Sequence, residues 1–248
     1  MFIFGFVIIL FQTPLWEIVT DQIKFNEDFY SVRIPSDIET QFKIALSICA
    51  MALHTDDSTF LRCLNEKFPL LSLVTFIDHY NLFIGRYESI CRNQDQKPTN
   101  EIYFNETYRL AFIYCTNYAS KHTQCVINLL ECGIHNVVLQ SFKVYPYDLR
   151  IEVGYLFTAM ILNGDLHCQQ AFCSTEFIQI FIELLVLDDT ILIARLFESL
   201  IILTTVDQSL IMESIDISDI HEIMDQHTNA DNIFSLGSEL ISLLDYQQ

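Results

Sequence analysis

Sliding the sequence forty residues along itself superimposes three segments without a gap: VGYLFTAMILNGD (153–165), IARLFESLIILTT (193–205) and IFSLGSELISLLD (233–245). Leu156 falls on Leu196 and Leu236, Met160 on Leu200 and Leu240, and Ile161 on Ile201 and Ile241. Gly154 matches Ala194, although Phe234 breaks that column of small residues. The apolar positions 153, 156, 157, 160 and 161 form one stripe of a 3.6-residue helix. A recurrence at this period restricts the chain to architectures in which each unit leaves a face that only its neighbour can bury. A shift of forty-six carries the pattern backwards, placing Leu110 on Leu156, Cys115 on Ile161, Asn117 on Asn163 and Gln124 on Gln170. A fifth, looser copy is FKIALSICAMALHTDD (42–57).

Matched pairs of shorter helices are expected between these long ones. HTQCVINLLE precedes GIHNVVLQSF, LHCQQAFCS precedes TEFIQIFIELL, and VDQSLIMES precedes IDISDIHEIMD. Ile134, Val137, Val138, Ser141 and Phe142 align with Phe177, Ile180, Phe181, Leu184 and Leu185. TDDSTFLRCLNEKFPLLSLVTFID (55–78) resembles the same pair one unit earlier. Each unit therefore reads as a short helix, a second helix, an acidic or Pro-bearing turn and a long third helix. Gly133 is expected to end the first helix, because glycine takes the left-handed backbone at little cost. Asp148 and Asp188, near the starts of third helices, are positioned to cap free N–H groups. The segment at 87–106, YESICRNQDQKPTNEIYFNE, departs from the period and is expected to be an exposed polar loop inserted in one unit.

The unit resembles an armadillo repeat. It has a Gln-containing first helix (Cys168-Gln-Gln-Ala-Phe172), a Gly break, a G-I-x-x-hh-x-x-hh second helix from Gly133 to Phe142, and a long third helix ending near Gly164. It is similar to the repeats of importin-α and β-catenin, and best matched over 105–245. Two-helix HEAT-like units are the nearest confusion. The resemblance implies an all-α, right-handed α-solenoid of about five degenerate three-helix repeats, spanning 1–248 as one domain. It also implies that the third helices line a concave groove. With Leu156 and Met160 facing inward, a helical wheel places residues 155, 158 and 162 on the opposite face. Their equivalents are 195, 198 and 202, then 235, 238 and 242. The candidate groove contacts are therefore Tyr155, Thr158, Arg195, Glu198, Ser235 and Ser238, with Asn117 and Asn163 matching loosely the Asn column of importin-α-like repeats.

Charge narrows the partner. The chain carries a net −19, and residues 151–248 hold sixteen acids against the single base Arg195. Such a surface cannot neutralise phosphate, so nucleic acid is excluded as a partner and an anionic membrane is disfavoured. A basic peptide or protein would be attracted, while acidity also serves solubility. Eight cysteines lack any C-x-x-C pair and mostly sit within apolar helical runs, as small hydrophobes do in a reducing compartment. Cys168 and Cys173 beside His167 fit no common zinc spacing. The uncharged MFIFGFVIILF at 1–11 is shorter than the ~20 residues a membrane span needs. The apolar segment 1–16 is expected to cover the first repeat, with a signal peptide as the alternative for 1–11.

No Gly-rich phosphate loop, G-x-S-x-G or H-E-x-x-H occurs. His221 and His227, six apart, do not share a helix face. The expectation is a non-enzymatic, monomeric protein–protein interaction scaffold in the cytoplasm or nucleus, needing no cofactor or metal, which holds a peptide or protein partner along its groove, a basic one being favoured by the charge. An importin-α-like transport adaptor for basic cargo is the alternative. Its Trp/Asn ladder is missing here, since Trp16 is the only Trp and lies outside any third helix.

Overall fold

The computed structural model describes residues 101–245 together with Val74, Ile77 and Asp78, with side chains in the long segment from Tyr108 onward. The apolar segment 1–16, the looser copy at 42–57, most of the helix pair at 55–78 and residues 87–100 of the polar segment lie outside the described residues. Every regular element among the described residues of 101–245 is helical: α1 Glu101–Ala119, α2 Thr123–Glu131, α3 Ile134–Ser141 continued by the 3-10 turn Phe142–Val144, α4 Tyr147–Asn163, α5 Leu166–Gln170, α6 Thr175–Leu185, α7 Thr190–Val206, α8 Gln208–Ser214, α9 Ile217–Gln226 and α10 Asp231–Asp245. They form three complete units, α2–α4, α5–α7 and α8–α10, with α1 standing as the third helix of the unit before. Among the described residues, the order of short and long helices inferred from the sequence is present. The loop expected at 87–106 needs correction at its end, because residues 101–106 already belong to α1.

Turn chemistry sets the units apart. Gly133 has φ +76°, so a side chain there would be strained although nothing lies near its Cβ position. That left-handed step stops α2 and starts α3 at once. Four of the acids in the charged second half cap helices. Asp165 accepts from the Cys168 N–H at 2.9 Å, Asp207 from Leu210 at 3.1 Å and Asp216 from Ser218 at 2.8 Å. Asp189 accepts from both Ile191 and Leu192, at 3.1 and 3.0 Å. It therefore caps α7 in place of the expected Asp188, which is exposed. Asp148 lies in the first turn of α4 without capping it, and Pro146 occupies the N-cap. Backbone N–H donors hold the carboxyls of Asp165, Asp207 and Asp216 below the usual carboxylate range.

The third helices stack in order, α1 on α4, α4 on α7 and α7 on α10, with the shorter helices of each unit packed behind them. Leu156, Met160, Leu196, Leu200 and Leu240 are fully buried, as the aligned columns imply, whereas Leu236, Ile201 and Ile241 of the same columns are half-buried. Small residues let the long helices approach. A Cβ on Gly154 would lie 2.9 Å from Leu192 of α7, and one on Gly237 would lie 2.6 Å from the sulfur of Met224. The column of small residues broken at Phe234 is resumed three residues later by Gly237, which faces α9 and Phe197 of α7.

Between successive units, aromatic rings fill the seam. Phe157 meets Phe172, Phe177 and Phe181 edge-on, with centroids 5.6, 5.3 and 6.4 Å away. His135 of α3 stacks on Phe177 at 6.3 Å and tilts against Phe172. Its Nδ1 is buried and has no hydrogen-bond partner. Burial depresses the pKa of His135, so the neutral ring is favoured in the folded state.

Two outcomes follow from this packing. Leu200→Ala should lower unfolding free energy by roughly 2–5 kcal/mol in urea titration, and Ser238→Ala by less than about 0.5, because Ser238 is exposed and its hydroxyl returns only to the Phe234 carbonyl. Equal losses would contradict the assigned faces. For His135 the folded state gives up its proton more readily than the unfolded chain, whose imidazole titrates near ~6.5. The unfolded state therefore binds more protons just below that value, and stability falls as pH drops through it. His135→Phe should flatten the dependence of melting temperature on pH between about 7 and 5. The capping aspartates act separately, their contribution being lost only at lower pH, below the ordinary carboxylate range.

Candidate binding face

A third helix held on both flanks leaves only a narrow strip open. On α1 the strip contains exposed Arg109 and half-buried Ile113, Thr116 and Asn117, and on α4 half-buried Ile151, Tyr155 and Leu162. On α7 it runs through Ile191, Arg195, Glu198, Ile202 and Thr205, and on α10 through Asp231, Ser235, Ser238, Ser242 and Asp245. The α7 and α10 strips match residue for residue at the forty-residue period. Exposure increases toward α10: Thr158 is fully buried, whereas its counterparts Glu198 and Ser238 are exposed.

Of the candidate contacts, Tyr155 and Arg195 are brought into direct contact. The Arg195 guanidinium lies over the Tyr155 ring, 5.5 Å from its centroid. The Tyr155 hydroxyl donates to the Asp189 carboxylate, 3.0 and 3.1 Å from its two oxygens. Burial and then that hydrogen bond raise the phenol pKa to about 12, so it remains a donor at neutral pH. Asp189 thus does two jobs, capping α7 and fixing Tyr155 as a shelf for Arg195. One step along, Arg109 Nε of α1 donates to Glu152 Oε1 of α4 at 3.0 Å. The candidate set missed this pair because its partners lie forty-three residues apart and fall on different helices. Asp189 had a sequence signal in its place just before α7, but its neighbour Asp188 competed for the same role.

Two candidates need correction. Thr158 does not reach the open strip: its hydroxyl donates back to the Gly154 and Tyr155 carbonyls, at 2.9 and 3.1 Å, inside the packed layer. The wheel assigned it outward because it allowed one buried face, whereas α4 is covered on two sides. Asn163 is half-buried and committed to local structure. Its Nδ2 donates to the Ala159 carbonyl at 2.8 Å, and its own backbone carbonyl accepts from Thr123 Oγ1 at 2.9 Å. Asn117 is half-buried on α1, while Glu198, Ser235 and Ser238 are solvent-exposed on the open strips.

The described residues contain no group of three or more His, Cys, Asp or Glu side chains placed to hold a metal ion. Desolvation pushes the thiols of Cys115, Cys125, Cys132, Cys168 and Cys173 above their ordinary pKa. They are therefore protonated at neutral pH and poor nucleophiles. None of the described helices is by itself long and apolar enough to cross a membrane. What the strip offers is hydrogen bonding, charge and partly exposed apolar surface.

Replacing Tyr155 by Phe should cost about 1 kcal/mol, the scale of a hydrogen bond to a charged acceptor at a half-open site. Tyr155→Ala should cost at least about twice as much by also removing the surface under Arg195. Urea unfolding midpoints of the two variants test the shelf.

No family model matches the sequence, and no curated protein matches it. Solved structures do match the fold. A designed armadillo repeat protein in complex with the peptide (KR)4 aligns with TM-score 0.64, covering 93% of this chain and 82% of that one at 13% identity. Another designed armadillo repeat protein aligns with TM-score 0.57 over 92% of this chain and 98% of that one, at 10% identity. An engineered protein aligns with TM-score 0.55 over 91% and 96%, also at 10% identity. The chain has an armadillo-like repeat fold, an all-α solenoid.

Proposed function

We propose that this protein is a non-enzymatic scaffold that holds a peptide or protein partner across the open face of its third-helix layer. The observation that carries this reading is the strip left open along α4, α7 and α10, half-buried on α4 and matched position for position between α7 and α10, with a buried core behind it. A packed layer whose open side chains recur at the helix spacing can present contacts to an extended chain at regular intervals. The similarity to a designed armadillo protein that carries a bound (KR)4 peptide supports the same use. The partner is basic in part. Glu198, Asp231 and Asp245 face outward, while Arg109 is paired with Glu152 and Arg195 lies on Tyr155. The five described cysteines are free thiols, which fits a reducing compartment, the cytoplasm or nucleus.

Affinity purification of the full chain, compared with a double variant Glu198→Lys and Ser238→Arg, tests the proposal. A control variant, Gln179→Arg, alters an exposed position on α6 in the layer behind. Proteins that bind this face should be lost from the first variant and retained by the second. Partners equally insensitive to both, or lost only from the control, would refute it.

A further inference from the structure

The open face is not uniform, and its gradient describes the occupant more closely than net charge does. On α4 the strip is carried by Ile151, Tyr155 and Leu162, each half-buried and without formal charge. On α7, Ile191 is 64% exposed, an unusual exposure for an isoleucine beside a packed core, and Ile202 is half-open on the same strip. Between them stand Arg195 and Glu198, of opposite sign. On α10 the strip has no apolar member: Asp231, Ser235, Ser238, Ser242 and Asp245 follow one another. The α10 strip contains two acids and no base, and the nearest described base on the face is Arg195, one helix away. Within the strip, apolar surface therefore concentrates at α4 and α7 and uncompensated negative charge at α10, while the exposed Phe234 of α10 stands on the flank that corresponds to Gly154 and Ala194.

From this we infer that the occupant is an extended peptide of segregated chemistry, with aliphatic or aromatic residues over α4 and α7 and lysine or arginine residues over α10. This rests on the scaffold reading above and narrows its partner. Geometry sets the length. Packed helices lie about 8–10 Å apart, so α4 to α10 spans roughly 20 Å, which about six extended residues cover. The Ile191 and Ile202 side chains gain by being covered, because that removes their remaining apolar surface from water. Basic side chains gain nothing over α4 or α1, where Glu152 already has Arg109 within 3.0 Å. A uniformly basic peptide would leave Ile191 uncovered and set like charge against Arg195.

The test uses three labelled ten-residue peptides and the full chain, measured by fluorescence anisotropy at low and moderate salt. The first places Leu, Ile and Phe, spaced by Ser, in one half and Lys and Arg in the other. The second is a scramble of the same composition, and the third consists of Lys and Arg throughout. The segregated peptide should bind about tenfold or more tighter than its scramble, the scale of one buried aliphatic side chain. Ile191→Asp, at a position too exposed to matter for folding, should erase that preference. Ser238→Lys with Ser242→Lys should weaken the segregated peptide and remove its salt dependence, and circular dichroism checks that each variant remains helical. Equal affinity for segregated and scrambled peptides, tighter binding of the uniformly basic one, or no saturable binding of any would overturn the inference. The scaffold reading falls separately, when natural partners ignore the face variants in the affinity purification.

Discussion

Every third helix in the middle of the stack is held on two sides by the third helices of neighbouring units and from behind by the shorter helices of its own. That double contact is the constraint on which the other features depend. It explains why α4 and α7 are apolar around most of their circumference instead of along one stripe. It explains why Gly154 and Gly237 stand where neighbouring Leu and Met side chains come within about 3 Å. It also explains why the surface left for binding is a strip one or two residues wide. A solenoid built this way gains stability from interfaces between units as well as from the units themselves, and the aromatic seam around Phe157, Phe172 and Phe177 is one such interface.

The marked acidity of the second half has two separate uses. Asp165, Asp189, Asp207 and Asp216 satisfy backbone donors at helix starts, where a carboxylate also complements the helix dipole. Others, including Glu198, Asp231 and Asp245, face solvent on the third-helix layer. Asp189, half-buried, links the caps to the open face, since the oxygen that caps α7 also receives the Tyr155 hydroxyl. Capping and the order of the face are coupled at that residue.

At α10 the pattern changes. Its fully buried side is a single line, Ile233, Gly237, Leu240 and Leu244, flanked by half-buried Leu236, Ile241 and Leu243, and Phe234 is 58% exposed. Phe234 occupies the place taken by Gly154 and Ala194 in the preceding units, where a following helix packs closely. A bulky ring there is compatible with this structure because no described helix lies on that side.

The repeat, its period, the order of short and long helices and the inward columns at Leu156, Leu196 and Leu200 were all legible in the sequence, because burial of periodic apolar residues is a local pattern that any aligned copy repeats. The left-handed glycine at 133 was legible for a different local reason, since glycine takes that backbone conformation at little cost. The assignment of Thr158 to the surface failed, and the Arg109–Glu152 pair and the choice of Asp189 over Asp188 escaped notice. These depend on how far one helix overlaps the next and which side chain reaches across the gap. Sequence by itself determined that each unit needs neighbours. Only the tertiary structure decided which narrow strip those neighbours leave open, because lateral packing distance between helices is set by side chains from several units at once.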